Sequence, residues 1–342
     1  MTEKQRIKKW VAFQDADRVP WQINYTTQLG DLLLEQLGLR AAPTLKYDRL
    51  DEFLGNHIAY VRNRGTDSLR EVSPGVWRDE WGVLWDRRID RDIGTPVNCP
   101  LESGRLAELH LPDPDDPARY AHVQPIIEAN PDRYILAKFS YSLFERAWSL
   151  RGMENLLIDF SFDSAFVHEL LRAICDFNLA IMENLRAYPI DGIYFGDDWG
   201  SQKAMLMSPQ MWRQFIKPYL GEMYGQARRQ GYEVFIHSCG QITPVLDDLI
   251  EIGLNVFNPF QPEVMDIAGL MQRYSRRLAF YGSLSIQQTL PFGNEAEVRE
   301  EVRQRLSLAR TFGGLIIAPS HDMPPDIPLA NILAMLEALR RQ

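Results

Sequence analysis
The sequence predicts an α/β protein folded as a (β/α)8 barrel, and three observations point there. Short runs of consecutive apolar, β-rich residues recur, longer helical patterns separate them, and the runs end in polar or ionisable residues. Continuous rather than alternating apolar residues mark parallel strands covered on both faces, and parallel pairing requires helical crossovers. An open doubly wound sheet is the competing architecture. No glycine-rich dinucleotide fingerprint follows any of the strands, however, and 342 residues suit one closed barrel.

The first residues, MTEKQRIKKWVAF, form a basic amphipathic helix without the apolar core of a secretory signal. VPWQINY (19–25) is the first strand. One further strand falls between residues 45 and 90, where no run stands out. Residues 74–95 read differently. VWRDEWGVLWDR has the pattern of an antiparallel hairpin turning near Asp79 to Gly82, an insertion over about 74–90 that acts as lid, interface or end cover. LPDPDDPAR (111–119) is a surface loop. The remaining strands are YILAKFS (134–140), DGIYFGDD (191–198), EVFIHSCG (233–240), LNVFNPF (254–260), LAFYGSLS (278–285) and LIIAPSH (315–321). Between them, SPQMWRQFIKPYLGEMYGQARRQG has Ser208 as N-cap, Pro209 in the first turn and Gly231 past its end. NEAEVREEVRQRLSLARTFGG places acids early, bases late and glycine at its close. No linker or repeat divides the chain, so residues 1–342 are read as one domain.

Composition excludes several functions. Apolar residues make up 45% and charged residues 24%, enough for a large core in a soluble chain. No run reaches the roughly 18 apolar residues of a membrane span. A net charge of −9 without a basic stripe argues against nucleic acid. Cys99, Cys175 and Cys239 are too few and scattered for a disulfide framework, so a reducing cytoplasm is the simplest compartment.

In a barrel the reactive groups stand at the C-terminal ends of the strands. Those positions hold Ser140, Asp197, Asp198, His237, Cys239, Asn258, Ser283, His321 and Asp322. His237 and Cys239, two apart at a strand end, point to the same side and can reach one metal ion. His321 on the last strand is the available third ligand. Three protein ligands with an open fourth position are the pattern of a catalytic zinc; the plainer reading is a hydrogen-bonded histidine beside a buried cysteine. Asp197 and Asp198 are candidates for a general acid or base, a partner of a metal-bound histidine, or an acceptor for a substrate hydroxyl. Adjacent side chains leave a strand in opposite directions, so one faces the pocket and the other caps the following loop. Glu145, in SLFERAW, is either a further acid or ligand, or a solvated acid in a helix's first turn. Asn56 and His57 line the pocket or serve structurally. His110, His122 and His168 read as surface or packing residues, and Cys99 and Cys175 as structural.

The stretches VFIHSCGQITPVLDDLIEIGLNVFNPFQP, FYGSLSIQQTLPFGNEAEVREEV and GGLIIAPSHDMPPDIPLANILAM resemble the C-terminal half of the uroporphyrinogen decarboxylase superfamily. GDDWGSQKAMLMSPQMWRQFIKP, SLFERAWSLRGMENLL and DRVP at Asp17 to Pro20 fit the same family, so the resemblance spans nearly the whole chain. It implies a (β/α)8 barrel. The true decarboxylases carry an arginine-rich motif of the type RQAGRY after the first strand, whereas this chain reads PWQINYTTQLGDLL there, without arginine. The resemblance is stronger to the zinc-dependent, cobamide-linked methyltransferases, whose H-x-C pair is matched by His237 and Cys239. Their third ligand is usually cysteine; here it is His321. Exchanging a thiolate for an imidazole makes the metal a stronger Lewis acid, suited to polarising an ether oxygen.

The expected function is therefore zinc-dependent methyl transfer between a small methylated substrate, such as a methyl ether, and a corrinoid protein. The alternative is a decarboxylase-like lyase acting on a porphyrinogen or other acid, and a third reading is a barrel that only binds a ligand. No cobamide-binding loop of the D-x-H-x-x-G type occurs, so cobamide would arrive on a partner protein, for which Trp77, Trp81 and Trp85 are candidate docking residues. The fourth zinc ligand stays open among Glu145, an aspartate of the GDDWG pair and water. The oligomeric state stays open too, a homodimer included.

Overall fold
The computed structural model describes residues 1–42, 45–62 and 69–342. Eleven strands occur among these residues: β1 (Ile58–Arg62), β2 (Leu69–Ser73), β3 (Val76–Asp79), β4 (Leu84–Asp86), β5 (Thr95–Pro96), β6 (Tyr134–Phe139), β7 (Gly192–Gly196), β8 (Glu233–His237), β9 (Val256–Phe260), β10 (Ala279–Leu284) and β11 (Leu315–Pro319). Seven make one sheet in the order β1-β6-β7-β8-β9-β10-β11, every neighbouring pair parallel. The six runs read from residue 134 onward are thus consecutive neighbours. The strand sought between residues 45 and 90 is β1.

The eighth strand, expected at 19–25, departs from prediction. This segment makes only isolated parallel bridges, Trp21 to Ile317 and Tyr25 to Met323. Toward β1, side chains replace a backbone ladder: Gln22 Oε1 accepts from the Ile58 N–H at 2.9 Å, and Asn56 Oδ1 from the Ile23 N–H at 2.8 Å. Asn56 Nδ2 in turn donates to the Ile23 carbonyl at 3.1 Å. The parallel sheet is therefore a curled seven-stranded one, not closed by an eighth ladder.

The N-terminal end of the sheet is covered by the first helix, Glu3–Val11, which opens on a Thr2/Gln5 capping box. Its Lys4 and Lys8 reach the buried Asp191 carboxylate at 3.0 and 2.7 Å, just before β7. Its Arg6 binds Asp17 and sits 3.0 Å from His57 Nε2. His57 is 1% exposed, with Nδ1 3.0 Å from the Gly55 carbonyl, so of the two roles read for it the structural one is what the geometry provides.

Two helices show how local sequence sets the framework. Ser208 caps its helix by accepting from the Met211 N–H at 3.1 Å. Trp212–Ile216 then widens into a π turn directly before Pro218, which has no N–H to give the carbonyl four residues back. Glu295–Phe312 opens on an Asn294/Glu297 capping box and ends at Gly313, whose φ of +73° suits glycine.

The predicted hairpin insertion is larger than expected: β2-β3-β4-β5 form a separate antiparallel sheet. Asp79 fixes its turn, accepting from the backbones of Trp81 and Val83 (both 2.9 Å), Trp85 Nε1 (3.1 Å) and Arg146 (2.6 Å). Arg119, buried in the LPDPDDPAR segment, pairs with Glu80 at 2.6 Å. This anchoring corrects the docking expectation for the tryptophans. Trp81 and Trp85 are 3% and 4% exposed because they pack the insertion onto the rest of the fold, against Phe177 and Tyr141. Trp77 is half-buried, beneath Arg87. Among the described residues no helix is long and apolar enough to cross a membrane.

Candidate metal centre
His237 closes β8, and Cys239 follows two residues on, so both leave the strand on one side. His237 Nε2 and Cys239 Sγ lie 3.3 Å apart. His321 follows β11 in a turn held by two hydrogen bonds, Ser320 N–H to the Leu284 carbonyl (2.8 Å) and Met323 N–H to the Asn24 carbonyl (3.0 Å). Its ring centroid is 5.4 Å from that of His237. One ligand atom from each of His237, Cys239 and His321 falls within 4.8 Å of the others, and all three side chains are half-buried. Zinc bonds of about 2.0–2.1 Å to nitrogen and 2.3 Å to sulfur, in tetrahedral geometry, separate the two ligand atoms by roughly 3.5 Å. The His237–Cys239 separation matches that spacing, and two imidazoles with a thiol suit that ion in chemistry.

The loops carrying these groups are locked backbone to backbone. At Gly240 (φ +80°) a Cβ would meet the Gly200 carbonyl carbon at 2.5 Å, and at Gly200 it would meet the Cys239 carbonyl oxygen at 2.6 Å. Only glycine at both positions lets GDDWG lie against HSCG. That contact brings the Cys239 N–H onto Asp198 Oδ1 at 2.8 Å. Gly240 N–H donates to Gln261 Oε1 at 2.7 Å, tying the same loop to the end of β9.

Asn258, at the centre of β9, sets the tautomer of His237. Its Oδ1 lies 2.6 Å from His237 Nδ1 and also accepts from the Tyr194 hydroxyl, while its Nδ2 donates to the Tyr281 carbonyl at 2.8 Å. A carboxamide whose Nδ2 is already committed presents Oδ1 to the ring, so Nδ1 carries the proton and Nε2 is left as the ligand atom. Burial lowers the His237 pKa to about 4, with the Asp198 carboxylate opposing and His321 assisting, so the ring is neutral at pH 7. Burial, with the carboxylates of Asp198 and Glu145, pushes the Cys239 thiol up. A cation placed among these ligands would counter those carboxylates and favour the thiolate.

The two adjacent aspartates part as expected. Asp198 faces the centre, with Oδ1 3.9 Å from His237 Nε2 and its side chain 35% exposed. Asp197 is fully buried and turned away. Its carboxylate accepts from the N–H groups of Leu143 (3.2 Å), Phe144 (3.0 Å) and Glu145 (2.8 Å) at the start of the helix Phe144–Arg151, and from Trp199 Nε1 (2.6 Å). Burial raises its pKa to about 7 against these donors. Glu145 sits in the first turn of that helix, half-buried rather than solvated. Burial, then Asp198 and Asp197, hold its carboxyl well above the usual range, and it accepts from the Asp198 backbone.

Of the strand-end residues, His237, Cys239, His321 and Asp198 converge, Glu145 borders them, and Asp197 fixes the helix that carries Glu145. Ser283 is buried with φ +90°, and Ser140 is exposed. Asn258 was visible as a strand-end residue but its orienting role was not, since an Asn before Pro reads as a turn. Tyr194 had no signal at all: a tyrosine within an apolar strand reads as core.

A family model described as uroporphyrinogen decarboxylase (URO-D) matches residues 91–342. The solved structure of a methyltransferase from Methanosarcina mazei is similar over 100% of this chain and 99% of its own, with a TM-score of 0.75 and 19% identity. A β-1,4-D-mannanase from Cryptopygus antarcticus is similar over 86% of this chain and 82% of its own, at 10% identity and a TM-score of 0.44. No curated protein matches the chain in sequence. The matched model spans well over half of the sequence, including β6 to β11 and every residue of the candidate centre: the chain belongs to the uroporphyrinogen decarboxylase family.

Proposed function
We propose that this protein is a zinc-dependent methyltransferase that moves a methyl group between a small methylated substrate and a corrinoid carried by a partner protein. The observation that carries the reading is the convergence of His237, Cys239 and His321, all half-buried, at the C-terminal ends of β8 and β11. His237, Cys239 and His321 would hold the metal, with Asp198 beside them, its Oδ1 3.9 Å from His237 Nε2. When bound, zinc supplies Lewis acidity toward an ether or hydroxyl oxygen. Asn258 keeps His237 Nε2 turned inward. Burial and the neighbouring carboxylates raise the Glu145 pKa, which favours its acid form, and a carboxylic acid beside Asp198 would suit a leaving oxygen that needs a proton. The lack of arginine in PWQINYTTQLGDLL removes the carboxylate clamp that decarboxylation of a porphyrinogen would need.

The test is methyl transfer from a panel of methoxylated compounds to a corrinoid protein held as Co(I), followed by the change in corrinoid absorbance. Turnover that disappears on zinc removal and returns on zinc addition supports the reading. Equal turnover without metal, or metal-free decarboxylation, rejects it.

A further inference from the structure
The chain leaves β6 in an abrupt turn. Ser140 is exposed, and Tyr141 has a φ of +54°, in the left-handed region that a bulky side chain adopts only with strain. Glycine would take the same backbone conformation without that strain. Ser142 holds the turn from two sides: its N–H donates to the Gly196 carbonyl at the end of β7 (2.8 Å), and its carbonyl accepts from Asn178 Nδ2 (2.6 Å). The next three N–H groups meet the Asp197 carboxylate. Backbone outliers maintained by their surroundings in this way gather at active sites and ligand clamps.

The Tyr141 ring is well accounted for. Its centre lies 5.0 Å from that of Trp85, on β4 of the insertion, and 5.4 Å from the Arg146 guanidinium carbon. Arg146 is itself committed to Asp79 at 2.6 Å. The hydroxyl is not accounted for. Among the described residues no group hydrogen-bonds to it, and the half-buried side chain keeps that oxygen in contact with solvent. Tyr60, Tyr194 and Tyr281, the tyrosines around the His237 network, all engage their hydroxyls within the protein. The acidic groups acting most strongly on the Tyr141 phenol are Glu145 and then Asp198, which border the candidate centre. With burial as the main cause they raise its pKa, so the phenol keeps a proton to donate at neutral pH.

We infer that Tyr141 is a substrate-binding residue: its hydroxyl donates to a second oxygen of the methyl donor, beyond the methylated one that reaches His237, Cys239 and His321. The methyl donor is then an ether that also carries a hydroxyl or similar oxygen, rather than a simple methyl ether. This rests on the methyl-transfer reading for what happens at the metal. The contact itself follows from a strained turn that presents a phenol beside Glu145 and Asp198 with its proton uncommitted. A few well-placed polar groups in a largely apolar site are what fix a ligand's orientation. The insertion then has a part in recognition, because Trp85 backs the tyrosine ring from β4 and Asp79 holds Trp85 in place. The rival role for Tyr141 is packing alone, with a hydroxyl that meets only water.

Calorimetric binding to the zinc-loaded protein separates these roles without requiring turnover. The probes are two pairs in which a methyl group replaces the second oxygen: 2-methoxyphenol against 1-methoxy-2-methylbenzene, and 2-methoxyethanol against 1-methoxypropane. In the wild type the oxygen-bearing member of at least one pair binds about three- to tenfold tighter, the scale of one neutral hydrogen bond. Tyr141→Phe keeps the ring against Trp85 and removes only the hydroxyl. It reduces that preference by the same factor, with zinc content and melting temperature unchanged. A wild type that binds neither oxygen-bearing probe more tightly, or a Tyr141→Phe variant that keeps the full preference, overturns the inference. So does a Tyr141→Phe variant that loses zinc or melts at lower temperature, since the hydroxyl is then structural. A preference that depends on Tyr141, without any methyl transfer, would retain the binding role and remove the methyltransferase reading.

Discussion

Replacing Asn258 by alanine tests whether the hydrogen-bond network behind His237 is what makes the centre a metal site. The carboxamide is 5% exposed and joins three partners: the His237 ring, the Tyr194 hydroxyl and the Tyr281 carbonyl. Losing three buried neutral hydrogen bonds at roughly 1 kcal/mol each, with some partners left unpaired, predicts a stability loss of about 2–4 kcal/mol. Freed from Oδ1, His237 is no longer held with Nε2 toward Cys239, and loss of such an orienting partner typically weakens metal binding about 10–100-fold. Zinc affinity is read by competition with a chromophoric chelator, and stability by urea unfolding of the zinc-free protein, so the two effects are measured separately. Asn258→Asp, which keeps an acceptor for both His237 and Tyr194, holds zinc at least as well as the wild type. Zinc affinity in Asn258→Ala equal to that of the wild type would refute the reasoning, whatever the stability loss.

Three further outcomes follow from the same geometry. His57 is held at a pKa of about 3 against an ordinary 6.5, by burial first and then by the Arg6 guanidinium. The unfolded chain takes up the proton that the folded one refuses, so this residue's effect is absent above pH 6.5 and destabilises progressively as pH falls toward 3. Between pH 6.5 and 5 the loss is about 2 kcal/mol, and urea titrations of His57→Gln should lack that component of the slope. Asp79→Ala leaves Arg146 and Trp85 Nε1 without their acceptor at the β3–β4 turn, costing about 3 kcal/mol and exposing β2 to β5 to limited proteolysis before the rest of the fold. His321→Cys keeps zinc bound but lowers methyl-ether cleavage, because a second thiolate weakens the metal as a Lewis acid; unchanged cleavage rates would show that His321 does not set reactivity.

Much of this arrangement was legible because parallel strands buried on both faces leave an unmistakable pattern. From β6 to β11 the apolar runs, the capping residues Ser208 and Asn294 and the terminal glycines agree with one another, and the strand-end rule then selects His237, Cys239 and His321. β1 escaped because half-buried Tyr60 and exposed Arg62 interrupt the apolar run, leaving IAYVR without a clear signature. The 19–25 segment looked like a strand but lacks its ladder: Gln22 and Asn56 side chains take hydrogen-bonding positions that backbone groups would otherwise fill. The sequence could say that Asp197 and Asp198 diverge but not which turns inward. That depends on the helix Phe144–Arg151, whose N-terminal N–H groups claim Asp197 from across the sheet.

The most direct test of the central claim is the zinc content of the purified protein, after identical zinc supply, for the wild type and for His237→Ala, Cys239→Ala and His321→Ala, with circular dichroism to confirm folding. About one zinc per chain in the wild type, and much less in each folded variant, is the result expected of a three-ligand site. A wild type that takes up no zinc, or variants that keep as much as the wild type, would contradict it.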